Sequence, residues 1–196
     1  MQLILASQSP RRQELLKLIG IPYRVECGEV DEGAPGDMAP AALVERLALK
    51  KARAVFESNP NACVVGADTV VYIDGRVIGK PRSDEDAYGI LSRLQGRTHT
   101  VFTGVAALSP KGQEVRHART DVTFAPMTRE EIVWYIATGE PRDKAGAYGI
   151  QGPGGMFVEG INGNYFNVIG MPLPLLYAML QNAGFTLGCF AEKWGE

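Results

Sequence analysis

The stretch that decides the fold is "LILASQSPRRQELL", residues 3–16. Its first four residues form a short apolar run, which predicts a buried strand. Ser9 followed by Pro10 predicts the start of a helix, since serine is a favoured N-cap and proline costs no hydrogen bond at the first helical position. Arg11 and Arg12 then stand at the helix end that already carries partial positive charge. The turn therefore predicts that an anion binds there.

The rest of the chain mixes strand and helix patterns without the regular alternation of a doubly wound sheet, which predicts a mixed α/β fold. Apolar residues at helical spacing predict further helices over 40–57, 84–95, from Thr128 to about 138, and 172–182. Apolar and β-branched runs predict strands within 62–81, 99–108, 113–125 and 156–160. Asp74-Gly75 between two such runs predicts a tight hairpin.

Composition excludes several classes of protein. The 196 residues are 45% hydrophobic with a net charge of −2, so no global basic field collects nucleic acid. No apolar run reaches the ~18 residues of a membrane span. The three cysteines are far apart and the two histidines are not paired, which argues against a disulfide framework or a zinc site. We expect a cytoplasmic protein with free thiols.

The turn from Ser7 to Arg12 combines two hydroxyls, two guanidinium groups and the N–H groups of a helix start. Such a set is suited to a phosphate, and the turn follows directly after a predicted core strand. It is not a Walker loop, because the GxxxxGK[ST] pattern is absent. The alternative interpretation is that Arg11 and Arg12 are solvated and Ser9 is only a cap.

Asp68 stands inside "VVGADTVV", residues 64–71, an otherwise apolar strand. A carboxylate there is costly unless it is paired or bound to a metal. A salt bridge or a hydrogen bond at the strand end would satisfy it. Alternatively, Asp68 could bind Mg²⁺ together with Asp31 or Glu32, or orient and deprotonate a water molecule.

Among the lysines, Lys80 is the most suggestive, because the Asp74-Gly75 hairpin carries the chain back alongside Asp68. An ammonium near that carboxylate could neutralise a leaving phosphate. Gln151 lies in the glycine-rich segment 139–155, which is too apolar for a linker. Its amide offers an acceptor beside two donors and could read the edge of a nucleobase, or it could simply staple the loop.

Several of these stretches together resemble the Maf family of nucleoside triphosphate pyrophosphatases. The resemblance covers about residues 3–184, and the motifs that carry it occur in the family's order and spacing. They are "LASQSPRRQELL", "GADTVV" with "GKP" after it, "LQGRTHTVFTGVA", "TDVTF" and "DKAGAYGIQGPGGMFVEGINGNYFNVIGMPL".

The resemblance implies an inosine-triphosphatase-like (Maf/Ham1-type) α/β fold: an elongated mixed sheet with flanking helices and a cleft between two lobes. It implies one domain over residues 1–185 with a tail over 186–196, and a homodimer. The implied reaction hydrolyses a nucleoside triphosphate between its α- and β-phosphates, with a divalent cation, Mg²⁺ or Mn²⁺.

The resemblance also assigns roles to residues. Asp68 matches the family's proton acceptor, and Glu32, Lys51 and Lys80 match catalytic polar positions. Asp68 and Glu32 are the implied metal ligands, although residues 27–40 match the family least well. The implied substrate-binding residues are Ser7, Ser9, Arg11, Arg12, Thr69 and Gln151.

Arg11, Thr69 and Gln151 match the branch that hydrolyses dTTP and UTP. Three alternatives stay open at this stage. The substrate could be 7-methyl-GTP or a modified pyrimidine nucleotide, or the chain could be a nucleotide-binding regulator of cell division without turnover. A purely structural role is disfavoured by the polar residues and glycines gathered at the predicted site.

Overall fold

The computed structural model describes residues 1–31, 33 and 37–189. Within these residues seven strands form one sheet. The strands are β1 Leu3–Leu5, β2 Tyr23–Val25, β3 Cys63–Ile73, β4 Arg76–Ile78, β5 Thr98–Ser109, β6 Gly112–Phe124 and β7 Val158–Asn162. The helices are α1 Pro10–Leu18, α2 Pro40–Phe56, α3 Asp84–Leu94, α4 Arg129–Ala137, α5 Tyr165–Ile169 and α6 Leu173–Ala183. The predicted mixed α/β fold is confirmed.

The sheet is mixed in strand direction. Its order is β2-β1-β3-β5-β6-β7, and β4 pairs with β3 beside this path. β1 runs parallel to both β2 and β3, with Leu5 opposite Val65 in the latter pair. The β3–β4 and β6–β7 pairs are antiparallel. The parallel pairing covers only the first three residues of β3, which continues beyond the end of β1 to Ile73.

Over the described residues the chain divides into two compact units. The first comprises Met1–Asp68, Thr103–Ala118 and the chain from Gly170 onward. Its core contains small and branched apolar side chains from β1, α2, β3 and β5. Alanines on the buried face of α2, among them Ala48 and Ala52, let the helix backbone approach the strands closely.

The second unit comprises Thr69–Phe102 and Arg119–Ile169. Its core includes an aromatic cluster in which the rings of His99, Phe124 and Tyr148 meet edge to face. His99 Nε2 lies 2.8 Å from the Tyr148 hydroxyl. Burial lowers the pKa of His99 to about 4, against a smaller opposing effect of Asp121. A neutral imidazole therefore serves as a core residue.

Most predicted element starts are confirmed. Ser9 precedes α1 with Pro10 in its first turn, and Ser83 and Thr128 cap α3 and α4 through their hydroxyls. The Asp74-Gly75 turn joins β3 to β4, with φ of +52° and +73°, as a two-residue hairpin requires. The segment 139–155 is ordered as a series of short 3-10 turns.

Three features differ from the expectation. β2 and α5 were not predicted: β2 is a short strand without the buried apolar run that identifies β1, and the five residues of α5 are too few to show a helical period. β7 begins at Val158 rather than 156, since Pro153–Phe157 forms a 3-10 turn before pairing with β6 begins.

Among the described residues, no helix combines the length and apolar character needed to cross a membrane. Of the predicted tail, residues 190–196 lie outside the described residues.

Candidate active site

The turn between β1 and α1 is organised around the buried hydroxyl of Ser7. Ser7 Oγ accepts hydrogen bonds from Ser9 N, at 3.3 Å, and from Arg12 Nη1, at 3.0 Å. Arg12 Nε also donates to the carbonyl of Gly170, at 2.8 Å. The Arg12 guanidinium is therefore held from two sides, which fixes a cation beside the first turn of α1. Arg11 is half-buried in the same turn.

The start of α1 is cationic and carries no acidic side chain in its first turn. Ser9 occupies the N-cap position, yet its hydroxyl makes none of the hydrogen bonds to the helix backbone that a capping serine usually makes. A helix start without an acidic residue or a side-chain cap leaves its partial positive charge uncompensated from within the chain. The arrangement is suited to an external anion such as a phosphate.

Asp68 lies on β3, the strand that pairs with the one leading into this turn. The parallel ladder between β1 and β3 ends with Leu5 opposite Val65, and Ala6 N donates to Val65 O at 2.8 Å. β1 then runs into the Ser7–Arg12 turn, while β3 continues three residues to Asp68. The cationic turn thus follows the carboxyl end of β1, and the carboxylate stands in the middle of the longer neighbouring strand β3, three residues beyond the last β1–β3 pair.

The Asp68 carboxylate is paired with Lys51 of α2. Lys51 Nζ lies 2.6 Å from Asp68 Oδ1, and the two side chains are 21% and 13% exposed. An ion pair shielded to this degree costs desolvation that good geometry offsets. The sequence suggested Lys80 for this place, but the ammonium on Asp68 in the structure comes from Lys51.

Two glycines explain why α2 brings Lys51 so close. A Cβ on Gly66 of β3 would collide with the carbonyl oxygen of Ala48 and lie 2.8 Å from Ala52 N. A Cβ on Gly104 of β5 would collide with the carbonyl of Val44 in the same way. The backbone of α2 therefore rests directly on the two strands, and Lys51 extends from this helix to the carboxylate two residues beyond Gly66.

A divalent cation is compatible with Asp68, whose oxygens are the ligand type that Mg²⁺ prefers. Mg²⁺ commonly uses one or two carboxylates and completes its shell with substrate phosphates and water. Among the described residues there is no group of three or more histidine, cysteine or acidic side chains that could hold a metal. Glu32, the other predicted ligand, lies outside the described residues. Asp31 Oδ1 accepts from Gly33 N at 2.9 Å.

The remaining predicted site residues belong to the second unit. Thr69 is half-buried in β3, Lys80 is exposed just after β4, and Gln151 is exposed in the glycine-rich segment. Gly146 N donates to Gly79 O at 3.0 Å, which ties this segment to the residue before Lys80. Within the described part of the chain no hydrogen bond of the Gln151 amide is found, so the loop-stapling interpretation has no support.

The glycine-rich segment is held by two residues that sequence reasoning missed. The Tyr135 hydroxyl, on α4, donates to Glu140 Oε2 at 2.7 Å. Tyr135 also accepts from Gly149 N, and Glu140 Oε2 accepts from Gly154 N. The only signal in the sequence was an acidic residue beside a run of glycines, and nothing local connects it to Tyr135.

Comparisons with known proteins place the chain in a family. A family model described as "Maf-like protein" matches residues 2–183. A dTTP/UTP pyrophosphatase of Symbiobacterium thermophilum is 54% identical over 186 residues, covering 95% of this chain and 96% of the relative. A dTTP/UTP pyrophosphatase of Moorella thermoacetica is 55% identical over 197 residues, covering 100% of this chain and 98% of the relative.

One solved structure is informative about the fold. The Staphylococcus aureus Ham1 protein matches with a TM-score of 0.54 at 16% identity, and the match covers 92% of this chain and 98% of that one. At this identity the likeness concerns the fold alone, and it confirms the predicted Ham1-type architecture.

Proposed function

This chain belongs to the Maf-like family, and from that premise we propose that it hydrolyses dTTP and UTP to the nucleoside monophosphate and pyrophosphate. Its relatives in Symbiobacterium and Moorella carry the name of that activity at 54% and 55% identity. The observation that carries the proposal is the arrangement around the point where the β1–β3 ladder ends. A cationic helix start follows β1 there, and a shielded carboxylate–ammonium pair stands on β3 three residues beyond the last pair.

The proposed role of the Ser7–Arg12 turn is to bind the phosphates. Hydrolysis of a phosphoanhydride requires mainly positioning and stabilisation of charge on the phosphate oxygens. Ser7 holds the Arg12 guanidinium in place, so that this cation is oriented before substrate arrives. Ser9 and Arg11 are the other proposed phosphate ligands of the turn.

The proposed role of Asp68 is to orient the attacking water and take its proton. Lys51 donates to Oδ1, which leaves Oδ2 as the oxygen that accepts the proton. The proton moves from water to Asp68 as the water oxygen bonds to the α-phosphorus, and the bond to the bridging oxygen of pyrophosphate breaks. Lys51 fixes the carboxylate during this step, and Lys80 is proposed to meet the charge of the leaving group.

A divalent cation, Mg²⁺ or Mn²⁺, is part of the proposal through the family resemblance. Asp68 would hold it with the substrate phosphates, and Glu32 is the second proposed ligand. When bound, the cation neutralises charge on the phosphate oxygens.

A nucleotide panel tests the proposed reaction. Pyrophosphate release is measured with dTTP, UTP, dCTP, dGTP and 7-methyl-GTP in the presence of Mg²⁺ or Mn²⁺. We expect release from dTTP and UTP to exceed release from the other nucleotides. Preferential hydrolysis of 7-methyl-GTP would contradict the proposed substrates, and tight nucleotide binding without pyrophosphate release would contradict the proposed reaction.

Gln151 is proposed to read the base, because its amide matches the N3–H and O4 groups of uracil and thymine. Gln151→Ala should lower the preference for dTTP over dGTP more than it lowers hydrolysis of dTTP itself. Gln113→Ala, which removes an exposed glutamine amide paired with Arg53, is the matched control. An unchanged dTTP-to-dGTP ratio in Gln151→Ala would contradict the assignment.

A further inference from the structure

Three successive hydrogen bonds link the two ends of the segment that carries Gln151. The series begins at the N–H of Gly149, which donates to the Tyr135 hydroxyl at 3.0 Å. The hydroxyl donates to Glu140 Oε2 at 2.7 Å, and the same oxygen accepts from the N–H of Gly154 at 2.9 Å. The two glycines bonded in this way stand on either side of Gln151. We refer to Tyr135 and Glu140 together as the brace.

The segment packs on the brace with its backbone. A Cβ on Gly149 would lie 2.9 Å from Glu140 Oε1, and a Cβ on Gly152 would collide with that oxygen. A Cβ on Gly154 would collide with the Tyr135 hydroxyl. The main chain on both sides of Gln151 is thus in direct contact with the two side chains. At Gly154 a Cβ would also lie 2.7 Å from the Gly149 carbonyl oxygen, so a larger residue is excluded there.

The brace atoms that contact the segment, Tyr135 Oη and Glu140 Oε2, are both hydrogen-bonded. The Tyr135 side chain is fully buried, and its hydroxyl donates one bond and accepts another. Burial, with the bond to Glu140, raises the pKa of Tyr135, so the hydroxyl stays protonated and remains a donor. The Lys144 ammonium lies beside the brace: its Nζ donates to the backbone carbonyl of Glu140 and forms an ion pair with Asp143. A buried hydroxyl bonded on both sides, together with a half-buried carboxylate, favours one backbone conformation of the segment.

Gln151 itself is exposed, and within the described part of the chain no hydrogen bond fixes its amide. The point from which the side chain extends is therefore set by the backbone between Gly149 and Gly154. We propose that Glu140 and Tyr135 are positioning residues that set the base selectivity of the enzyme through Gln151. This inference rests on the proposed function, since it requires Gln151 to read the base.

Two variants test the proposal by removing different parts of the brace. Glu140→Gln keeps the size of the side chain but replaces the charged acceptor with a weaker, neutral one. Tyr135→Phe keeps the ring in the core and removes the hydroxyl. In each, the ratio of kcat/KM for dTTP to that for dCTP should fall by about ten-fold, since a small misplacement of a positioning group has effects of this size. The kcat for dTTP should fall by a smaller factor than the kcat/KM ratio does.

A double-mutant comparison separates positioning from general damage to the fold. In a Gln151→Ala background, Glu140→Gln should leave the dTTP-to-dCTP ratio at the value of Gln151→Ala alone, because the group that it positions is gone. Glu159→Gln, an exposed carboxylate on β7, is the matched control and should leave the ratio at the wild-type value. Thermal unfolding identifies the variants that fold, and either folded brace variant is sufficient for the test.

The outcomes distinguish this inference from the proposed function. An unchanged ratio in a folded Glu140→Gln or Tyr135→Phe variant would overturn the inference while wild-type hydrolysis of dTTP continued to support the function. The same fall in ratio with and without Gln151 would also overturn it. Absence of pyrophosphate release by the wild-type protein would overturn both.

Discussion

Lys51 Nζ lies 2.6 Å from Asp68 Oδ1 and joins helix α2 to strand β3 across 17 positions of the chain. Asp68→Asn should therefore remove the proposed proton acceptor and leave the architecture intact, because an asparagine carbonyl still accepts from Lys51. Turnover of dTTP should fall by about a hundred-fold to ten-thousand-fold, the usual contribution of general base catalysis. The measurements are pyrophosphate release and thermal unfolding.

Asp74→Asn is the matched control for that substitution. Asp74 also forms an ion pair at 2.6 Å, with Arg97, but both side chains are about half exposed. Exposed pairs contribute little to stability, and this one lies at the hairpin turn. Its variant should keep near-wild-type turnover. Near-normal hydrolysis of dTTP by Asp68→Asn would contradict the role assigned to Asp68.

Ser9→Ala separates a capping role from a phosphate-binding role. Thr128→Ala, which destroys the capping box of α4, should lower the free energy of unfolding by about 1 kcal/mol. Ser9→Ala should lower it by much less, because the Ser9 hydroxyl makes no cap hydrogen bond. KM for dTTP should nevertheless rise in Ser9→Ala. Urea unfolding measures the change in stability, and steady-state kinetics measure KM. Equal destabilisation by Ser9→Ala and Thr128→Ala would contradict the claim that Ser9 is not a helix cap.

Gly66→Ala tests the close approach of α2 to the sheet. The new methyl group would meet the backbone of Ala48 and Ala52, which has no rotamer to change. We expect a loss of about 1–3 kcal/mol or more in the free energy of unfolding, as for other overpacked cores. Turnover should fall as well, since displacement of α2 moves Lys51 away from Asp68.

Gly89→Ala is the control for that substitution. Gly89 is an exposed glycine of α3, and a Cβ there would meet no atom within 4 Å. This change should raise stability by up to about 1 kcal/mol, because alanine favours the helix. If Gly66→Ala were as stable and active as Gly89→Ala, α2 would not depend on direct contact with β3.

His99 should make stability depend on pH. The unfolded state binds a proton below the ordinary pKa of about 6.5, whereas the buried His99 has a pKa of about 4. Between these values the unfolded state holds more protons, so the free energy of unfolding falls as pH falls from 6.5 to 4. The contribution amounts to about 3 kcal/mol over that window.

His99→Gln removes this titration while keeping a polar side chain beside Tyr148. Urea unfolding at several pH values should give a shallower decline between pH 6.5 and 4 in the variant than in the wild type. All other acid-titrating groups are common to the two proteins, so the difference in slope isolates His99. Identical slopes would show that His99 does not carry the effect.

Signals between neighbours along the chain predicted much of the fold. Ser83 and Thr128 begin α3 and α4 because each hydroxyl accepts an N–H three residues later. Asp74-Gly75 determines its hairpin through the backbone angles of two adjacent residues. The turn from Ser7 to Arg12 was recognisable for the same reason, since its strand, cap position and cations are consecutive.

Contacts between distant segments were not predictable in this way. The hairpin suggested Lys80 as the cation near Asp68, whereas the observed partner depends on how α2 packs against Gly66. Likewise, the sequence assigned Ser9 to a cap position, but it did not indicate that the Ser9 hydroxyl makes no cap hydrogen bond. Nothing in a single sequence indicates that Tyr135 donates to Glu140.

The brace also determines which pieces of this protein can be exchanged with those of its relatives. Suppose that residues 148–152, "YGIQG", alone were replaced by the matching segment of a relative. The new backbone would then stand against Tyr135 and Glu140, which Gly149 and Gly152 contact directly in this protein. The smallest insert that brings its own support runs from Tyr135 to Gly154. Recombination that tests the proposed base preference should therefore place its crossover before α4, which keeps the helix whole and Tyr135 with the loop.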